Sequence, residues 1–113
     1  MNVFEMPTSK VLPLLKAKAL KKGRAQVEFY AVVSWLTGYG VEDIEAMMDE
    51  DVPYGDFFRN APCLNPNRAL ITGKVCGVAV ESIEDPLMRE LRYLDKLVDE
   101  LAKGRPLEKI CRA

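Results

Sequence analysis

The stretch Glu84-Asp85-Pro86-Leu87-Met88-Arg89 opens, and Lys103-Gly104-Arg105-Pro106 closes, the segment whose reading decides the fold. Asp85 offers a side-chain acceptor at a helix N-cap, and Pro86 stands at the first helical position, where a missing N–H costs least. Leu87, Leu91, Leu94, Val98 and Leu101 recur at spacings of four and three before Gly104 and Pro106 stop the pattern. A long amphipathic helix is predicted. Its stripe covers about two and a half heptads, short of what a coiled coil needs. Asp85 with Arg89, and Asp99 with Lys103, are favourably ordered i,i+4 pairs for its surface.

Working back from it, the chain reads as shorter helices. One runs from about Ser9, with Thr8 or Ser9 as cap, to Lys22 and stops at Gly23. Leu12, Leu15 and Ala19 share its apolar face, Leu14 and Leu20 fall off it, and Pro13 is placed near its first turn. A second runs from about Ala25 to Thr37, with Phe29, Val32, Val33 and Leu36 inward and Gly38 as terminator. Val41 to Asp49 forms a short acidic helix with Ile44, Met47 and Met48 inward, and Tyr54 to Asn60 two turns carrying Phe57 and Phe58. Two prolines make 61–67 a loop. Residues 106–111 add one terminal turn.

Residues 69–82 admit two readings. Ile71, Thr72, Val75, Val78 and Val80 favour a β-hairpin turning at Gly73-Lys74. As a helix, Ile71, Val75, Val78 and Ser82 would share one face. Because the remaining chain reads as helical and a solitary hairpin is marginal, the helix is preferred. The expected fold is mainly α: one domain over 1–113, a compact orthogonal bundle of about five to six helices, with a β-hairpin at 69–82 as the alternative.

At 113 residues the chain is long enough for one domain that buries roughly two-thirds of its unfolded surface. With 49% hydrophobic and 29% charged residues it lies in the globular range, and a formal charge of −1 argues against a whole-surface nucleic-acid binder. The start at Met1 has neither a basic lead nor an apolar run, and no apolar stretch reaches the roughly eighteen residues of a membrane span. A cytoplasmic protein is expected. Cys63, Cys76 and Cys111, odd in number and widely spaced, read as free thiols in a reducing compartment. Histidine is absent. Its loss removes the commonest zinc ligand, the commonest general base and the activator of serine or cysteine nucleophiles. No catalytic residue, metal site or cofactor is assigned.

The best binding candidate is Asn65-Pro66-Asn67-Arg68 with Thr72-Gly73-Lys74: amides, a guanidinium and a hydroxyl beside an element start, where an anion suits a helix N-terminus. The plainer reading is that an asparagine caps the next element and Arg68 pairs with an acid. Trp35 and Tyr39, flanking Gly38, suit a ligand wall or a helix-corner core, and the core reading is preferred for Trp35. Lys10, Lys16, Lys18, Lys21, Lys22 and Arg24 form an unmixed basic helix. Glu42, Asp43, Glu45, Asp49, Glu50 and Asp51 form an equally unmixed acidic run, which suits docking of one segment on the other, within a chain or between subunits.

The blocks Lys22-Gly23-Arg24, Trp35-Leu36-Thr37-Gly38-Tyr39, Leu64-Asn65-Pro66-Asn67-Arg68, Ile71-Thr72-Gly73, Glu84-Asp85-Pro86-Leu87-Met88 and 94–104 resemble a prokaryotic family of small uncharacterised proteins, the domain of unknown function numbered 2200. The resemblance covers nearly the whole chain. It implies a cytosolic, mainly helical domain and no assigned activity.

The leading functional expectation is a non-catalytic cytosolic binding or interaction module that self-associates, on the strength of the last helix's apolar stripe and the segregated charges. The alternative is a small-molecule-binding protein or enzyme with an anion site around Asn65, Asn67, Arg68 and Thr72 beside Trp35 and Tyr39. Weak nucleic-acid binding through the basic helix comes last, since no aromatic residue is interleaved with its lysines.

Overall fold

A computed structural model of the protein describes residues 3–75 and 77–112; Cys76, and with it part of the 69–82 reading, lies outside them. Among the described residues six α-helices follow in order: α1 (Thr8–Lys21), α2 (Gln26–Thr37), α3 (Val41–Met47), α4 (Tyr54–Arg59), α5 (Pro86–Ala102) and α6 (Leu107–Ile110). Between α4 and α5 lie a 3-10 segment (Pro66–Leu70), strands β1 (Lys74–Val75) and β2 (Val78–Ala79), and a second 3-10 turn (Val80–Ser82).

Helix α5 organises the molecule. The Asp85 carboxylate accepts from the N–H groups of Leu87 and Met88 at 2.9 and 3.3 Å, with Pro86 at the first position, as the sequence predicts. Leu91, Leu94, Leu97, Val98 and Leu101 are buried against α1, α2 and α4. Each such side chain contributes roughly 1.5–3 kcal/mol when removed from water. The stripe that suggested self-association is therefore occupied by this chain's own core. Of the two surface pairs, Lys103 meets Asp99 at 3.0 Å. Arg89 does not turn to Asp85, whose oxygen serves the cap; its guanidinium donates to the carbonyl of Ile83 instead.

The faces of α1 and α2 fall as predicted. Leu12, Ala19, Phe29, Val32, Val33 and Leu36 are fully buried, while Leu14 is 66% exposed. The cap of α1 is different. Pro7 precedes it, and Thr8 is already helical, its hydroxyl donating to the carbonyl of Val52 at 2.6 Å. Pro13 lies in the second turn, not the first. Pro7 and Pro53 face each other in an isolated antiparallel bridge; neither has an N–H, so the neighbours Thr8 and Tyr54 donate, to Val52 and Met6. On α4, Phe57 and Phe58 pack with Tyr54 and Tyr39 in an aromatic cluster whose centroids are 4.9–6.1 Å apart.

Residues 69–82 take the hairpin alternative, not the preferred helix. Val75 pairs with Val78 and Lys74 with Ala79, so Lys74 is itself in β1 and Gly73-Lys74 is not the turn. The packing shows why. A helix would have aligned Ile71, Val75 and Val78; here Ile71, Val75 and Val80 are buried while Val78 is 40% exposed. Gly73 and Gly77 hold φ of 102° and 78°, which end helical propagation on both sides of β1. The hairpin is not solitary: β1 packs on α5, where Lys96 donates to the carbonyl of Lys74 at 3.1 Å.

From the last turn of α5, the buried Glu100 carboxylate accepts from Arg105 at 2.8 Å and from Arg112 at 2.7 and 2.9 Å, which pins the residues on both sides of α6 to the body.

Candidate functional site

The C-terminus of α2 begins the construction of the site. Gly38 sits at φ 81°, and the 61–65 loop crosses directly over it: a Cβ there would lie 2.8 Å from the Cys63 nitrogen. That approach lets the N–H groups of Cys63 and Asn65 donate to the carbonyls of Thr37 and Leu36 at 3.1 and 3.0 Å, satisfying acceptors that a helix end leaves open. Asn65 then caps the 3-10 segment, its Oδ1 accepting from the Asn67 N–H at 2.8 Å. Arg68, one turn on, crosses to α5. Its Nε donates to both carboxylate oxygens of Glu90 at 3.0 and 2.9 Å, and its Nη1 to the carbonyl of Asn65 at 2.9 Å.

The plainer expectations for Asn65 and Arg68, a cap and an ion pair, are thus both realised. The pair also walls a cleft of about 290 Å³. Pro66, Arg68 and Ala69 form one side; Pro86, Arg89, Glu90 and Tyr93, at helical spacing on α5, form the other. Two guanidiniums face one carboxylate, a formal excess of one positive charge. Arg89 Nε and Nη2 hold the Ile83 carbonyl, and no acid pairs with Arg89 among the described residues. Arg68 Nη2 and Arg89 Nη1 have no protein partner among the described residues. Tyr93 is only 6% exposed, and its hydroxyl has no hydrogen-bond partner among the described residues. An anion in this cleft would meet guanidinium N–H groups rather than a helix N-terminus, because side chains of Asn65 and Asp85 already engage backbone donors at both element starts.

A second cleft of about 320 Å³ adjoins the first across Pro86 and Glu90. Phe58, Leu64 and Leu87 supply its apolar lining and Arg59 its rim. Arg59 is engaged with Asp56 at 2.8 Å.

The other expected site residues lie apart. Trp35 is half-buried against the core, and Tyr39 is buried, its hydroxyl donating to the carbonyl of Phe57 at 2.7 Å. Neither lines either of these two clefts. Asn67 and Thr72 are exposed at the surface. Arg89 and Glu90 read from the sequence as charges on a helix surface, and Tyr93 carries no signal of its own; positions 86, 89, 90 and 93 do share one helical face, but nothing in their order announces that Pro66–Leu70 will cover it.

Elsewhere on the surface, no ion pair joins the basic face of α1 to the acidic run 42–51 among the described residues. The two segments touch through Ser9, whose N–H donates to the Glu50 carbonyl and whose hydroxyl donates to Asp51. Lys18 instead pairs with Asp99 at 3.5 Å, and Lys16 donates to the Tyr30 hydroxyl at 2.9 Å. The described residues hold no group of three or more His, Cys, Asp or Glu side chains placed to bind a metal, and no helix long and apolar enough to cross a membrane. Cys63 is exposed; Cys111 is half-buried, and desolvation pushes its thiol up despite the neighbouring Arg112.

A family model described as an uncharacterized protein conserved in bacteria, DUF2200, matches residues 2–112. The chain belongs to that family. It is also similar to the crystal structure of uncharacterized protein SP1917, at 50% identity over 97% of this chain and 92% of that one, with a TM-score of 0.91. No match was found among curated proteins. The mainly helical fold and the family membership expected from the sequence are both shown; neither relation carries an activity.

Proposed function

We propose that this DUF2200 protein is a binding protein for a small anion, carried in the cleft between the Pro66–Leu70 segment and α5. The observation that supports this reading is the convergence of Arg68 and Arg89 on one cleft with a single carboxylate between them. A guanidinium is charged throughout the physiological range and offers planar N–H donors that match carboxylate or phosphate oxygens. Arg68 is fixed by Glu90 and the Asn65 carbonyl, and Arg89 by the Ile83 carbonyl, so both are ordered before a ligand arrives. Pre-ordering lowers the entropic cost of binding. Tyr93 adds a hydroxyl to the same wall.

The test is an NMR titration of the full chain with inorganic phosphate and with acetate. Amide shifts around Arg68, Arg89 and Tyr93 are expected, and they weaken as salt is raised. Arg89→Gln removes a charged donor and is expected to cost about 1.5–3 kcal/mol of binding energy, roughly a tenfold to hundredfold loss of affinity. Shifts confined to the α1 lysines, or an unaltered affinity in Arg89→Gln, refute the reading.

A second reading is self-association through charge. The basic face of α1 and the acids 42–51 are solvent-facing and unpaired with each other, a complementarity suited to head-to-tail contact between copies. Sedimentation at low and high salt decides it: a mass that is monomeric at both removes this reading.

A further inference from the structure

We infer, resting on the anion-cleft reading above, that the adjoining apolar cleft is the second half of the same site and that the ligand is an amphiphilic monoanion: an organic acid whose carboxylate lies between Arg68 and Arg89 and whose compact apolar group lies on Leu64 and Leu87. Continuity is the first argument. Pro86 and Glu90 belong to the walls of both clefts, so one molecule lying across that ridge reaches both. The ridge suits such a crossing, because Pro86 presents a ring and no N–H, and the Glu90 carboxylate is turned onto the Arg68 guanidinium.

Charge is the second argument. The head cleft carries Arg68 and Arg89 against Glu90, an excess of one, which a single negative charge neutralises. In the tail cleft, Arg59 is held by Asp56 and Glu90 by Arg68, which leaves the half-buried Leu64 and Leu87 as the open apolar surfaces. Size is the third. The tail cleft of about 320 Å³ exceeds the roughly 150 Å³ cavity that holds a benzene ring. The two clefts together fall within the roughly 300–1,000 Å³ typical of small-molecule sites.

The experiment extends the NMR titration of the full chain to acetate, butyrate and hexanoate, with hexanol as the uncharged control. Affinity is expected to rise along the acids, by roughly tenfold or more from acetate to hexanoate, because each methylene removed from water adds to binding. Hexanol is expected to bind at least about tenfold more weakly than hexanoate, for want of the guanidinium contacts. Leu64→Ser narrows the gap between hexanoate and acetate, and shifts induced by hexanoate but not acetate appear at Leu64 and Leu87. Equal affinities for acetate and hexanoate overturn this inference while leaving the anion cleft standing. Hexanol binding as tightly as hexanoate overturns it too. So does a peptide ending in a free leucine carboxylate that binds more tightly than every free acid, since the clefts then serve a chain end. Absence of binding by acetate, phosphate and hexanoate alike overturns both readings.

Discussion

Replacing Gly38 by alanine tests the construction of the site at its origin. Two costs are involved and a matched control separates them. Gly38 at φ 81° and Gly23 at φ 88° occupy the same left-handed region, where an L-residue costs roughly 1–2 kcal/mol. In both, the alanine recovers about 0.4–1 kcal/mol by restricting the unfolded chain. Gly23→Ala meets nothing within 4 Å, so its net cost is roughly 0–1.6 kcal/mol. Gly38→Ala drives its Cβ to 2.8 Å from the nitrogen and 2.9 Å from the carbonyl oxygen of Cys63. Those are backbone atoms and cannot rotate aside, so the loop itself must lift. Lifting it strains the bonds from Cys63 and Asn65 to Thr37 and Leu36, each worth about 0.5–1.5 kcal/mol. Gly38→Ala is therefore expected to cost about 1–3 kcal/mol more than Gly23→Ala, or a Tm lower by roughly 4–12 °C. Urea and thermal unfolding followed by far-ultraviolet circular dichroism measure the difference. Losses that agree within about 0.5 kcal/mol refute the claim that the loop's closeness, rather than backbone handedness, demands glycine at 38. Because the same loop carries Asn65 and leads to Arg68, anion affinity is expected to fall in Gly38→Ala and to hold in Gly23→Ala.

Three further substitutions read the electrostatics of α5. Burial raises the Asp95 carboxyl despite Arg92 and Lys18, whereas at Asp99 the upward push of burial is outweighed by Lys103 and Lys18, which hold it below the usual range. A raised folded value means that Asp95 favours the fold below the unfolded pKa, about 3.9, and loses that contribution as pH climbs through its folded value. Asp99 is the opposite, stabilising above about 3.9 and losing the effect as pH falls through its lowered folded value. Asp95→Asn is thus expected to raise stability at neutral pH and Asp99→Asn to lower it, with both differences shrinking in acid; same-signed effects at neutral pH refute this. Glu100→Gln leaves Arg105 and Arg112 without their carboxylate and is expected to cost about 1–3 kcal/mol, the guanidiniums recovering part of the loss by resolvation. Limited proteolysis after 106 should accelerate, and a loss under about 0.5 kcal/mol would place the cluster with ordinary surface pairs.

Where order along the chain sets the outcome, the sequence was legible. Asp85-Pro86 encodes a cap within two adjacent residues, and the spacing of Leu91, Leu94, Val98 and Leu101 encodes a buried face whatever covers it. Leu14 and Leu20 fall off the apolar face on the same grounds, and both are exposed. Gly38 was readable as a helix stop but not as the seat of a crossing loop, because the Cys63 backbone that meets it is distant in sequence. The cap of α1 escaped for the same reason: Thr8 serves Val52, across the Pro7–Pro53 bridge.

What the sequence by itself determined is the set of helices, their inward faces and the family, since capping, helical periodicity and glycine stops act within a few residues. Only the tertiary structure decided that 69–82 carries the short β1–β2 hairpin between two 3-10 segments, because local preference there was divided and burial of Val75 and Val80 on α5 settled it. It also decided the site. Arg68 and Arg89 lie in different elements, and they converge because the loop over Gly38 delivers the Pro66–Leu70 segment to the face of α5 bearing Glu90 and Tyr93. A pocket belongs to the gap between elements, and that gap exists only once the core has set the distance between them.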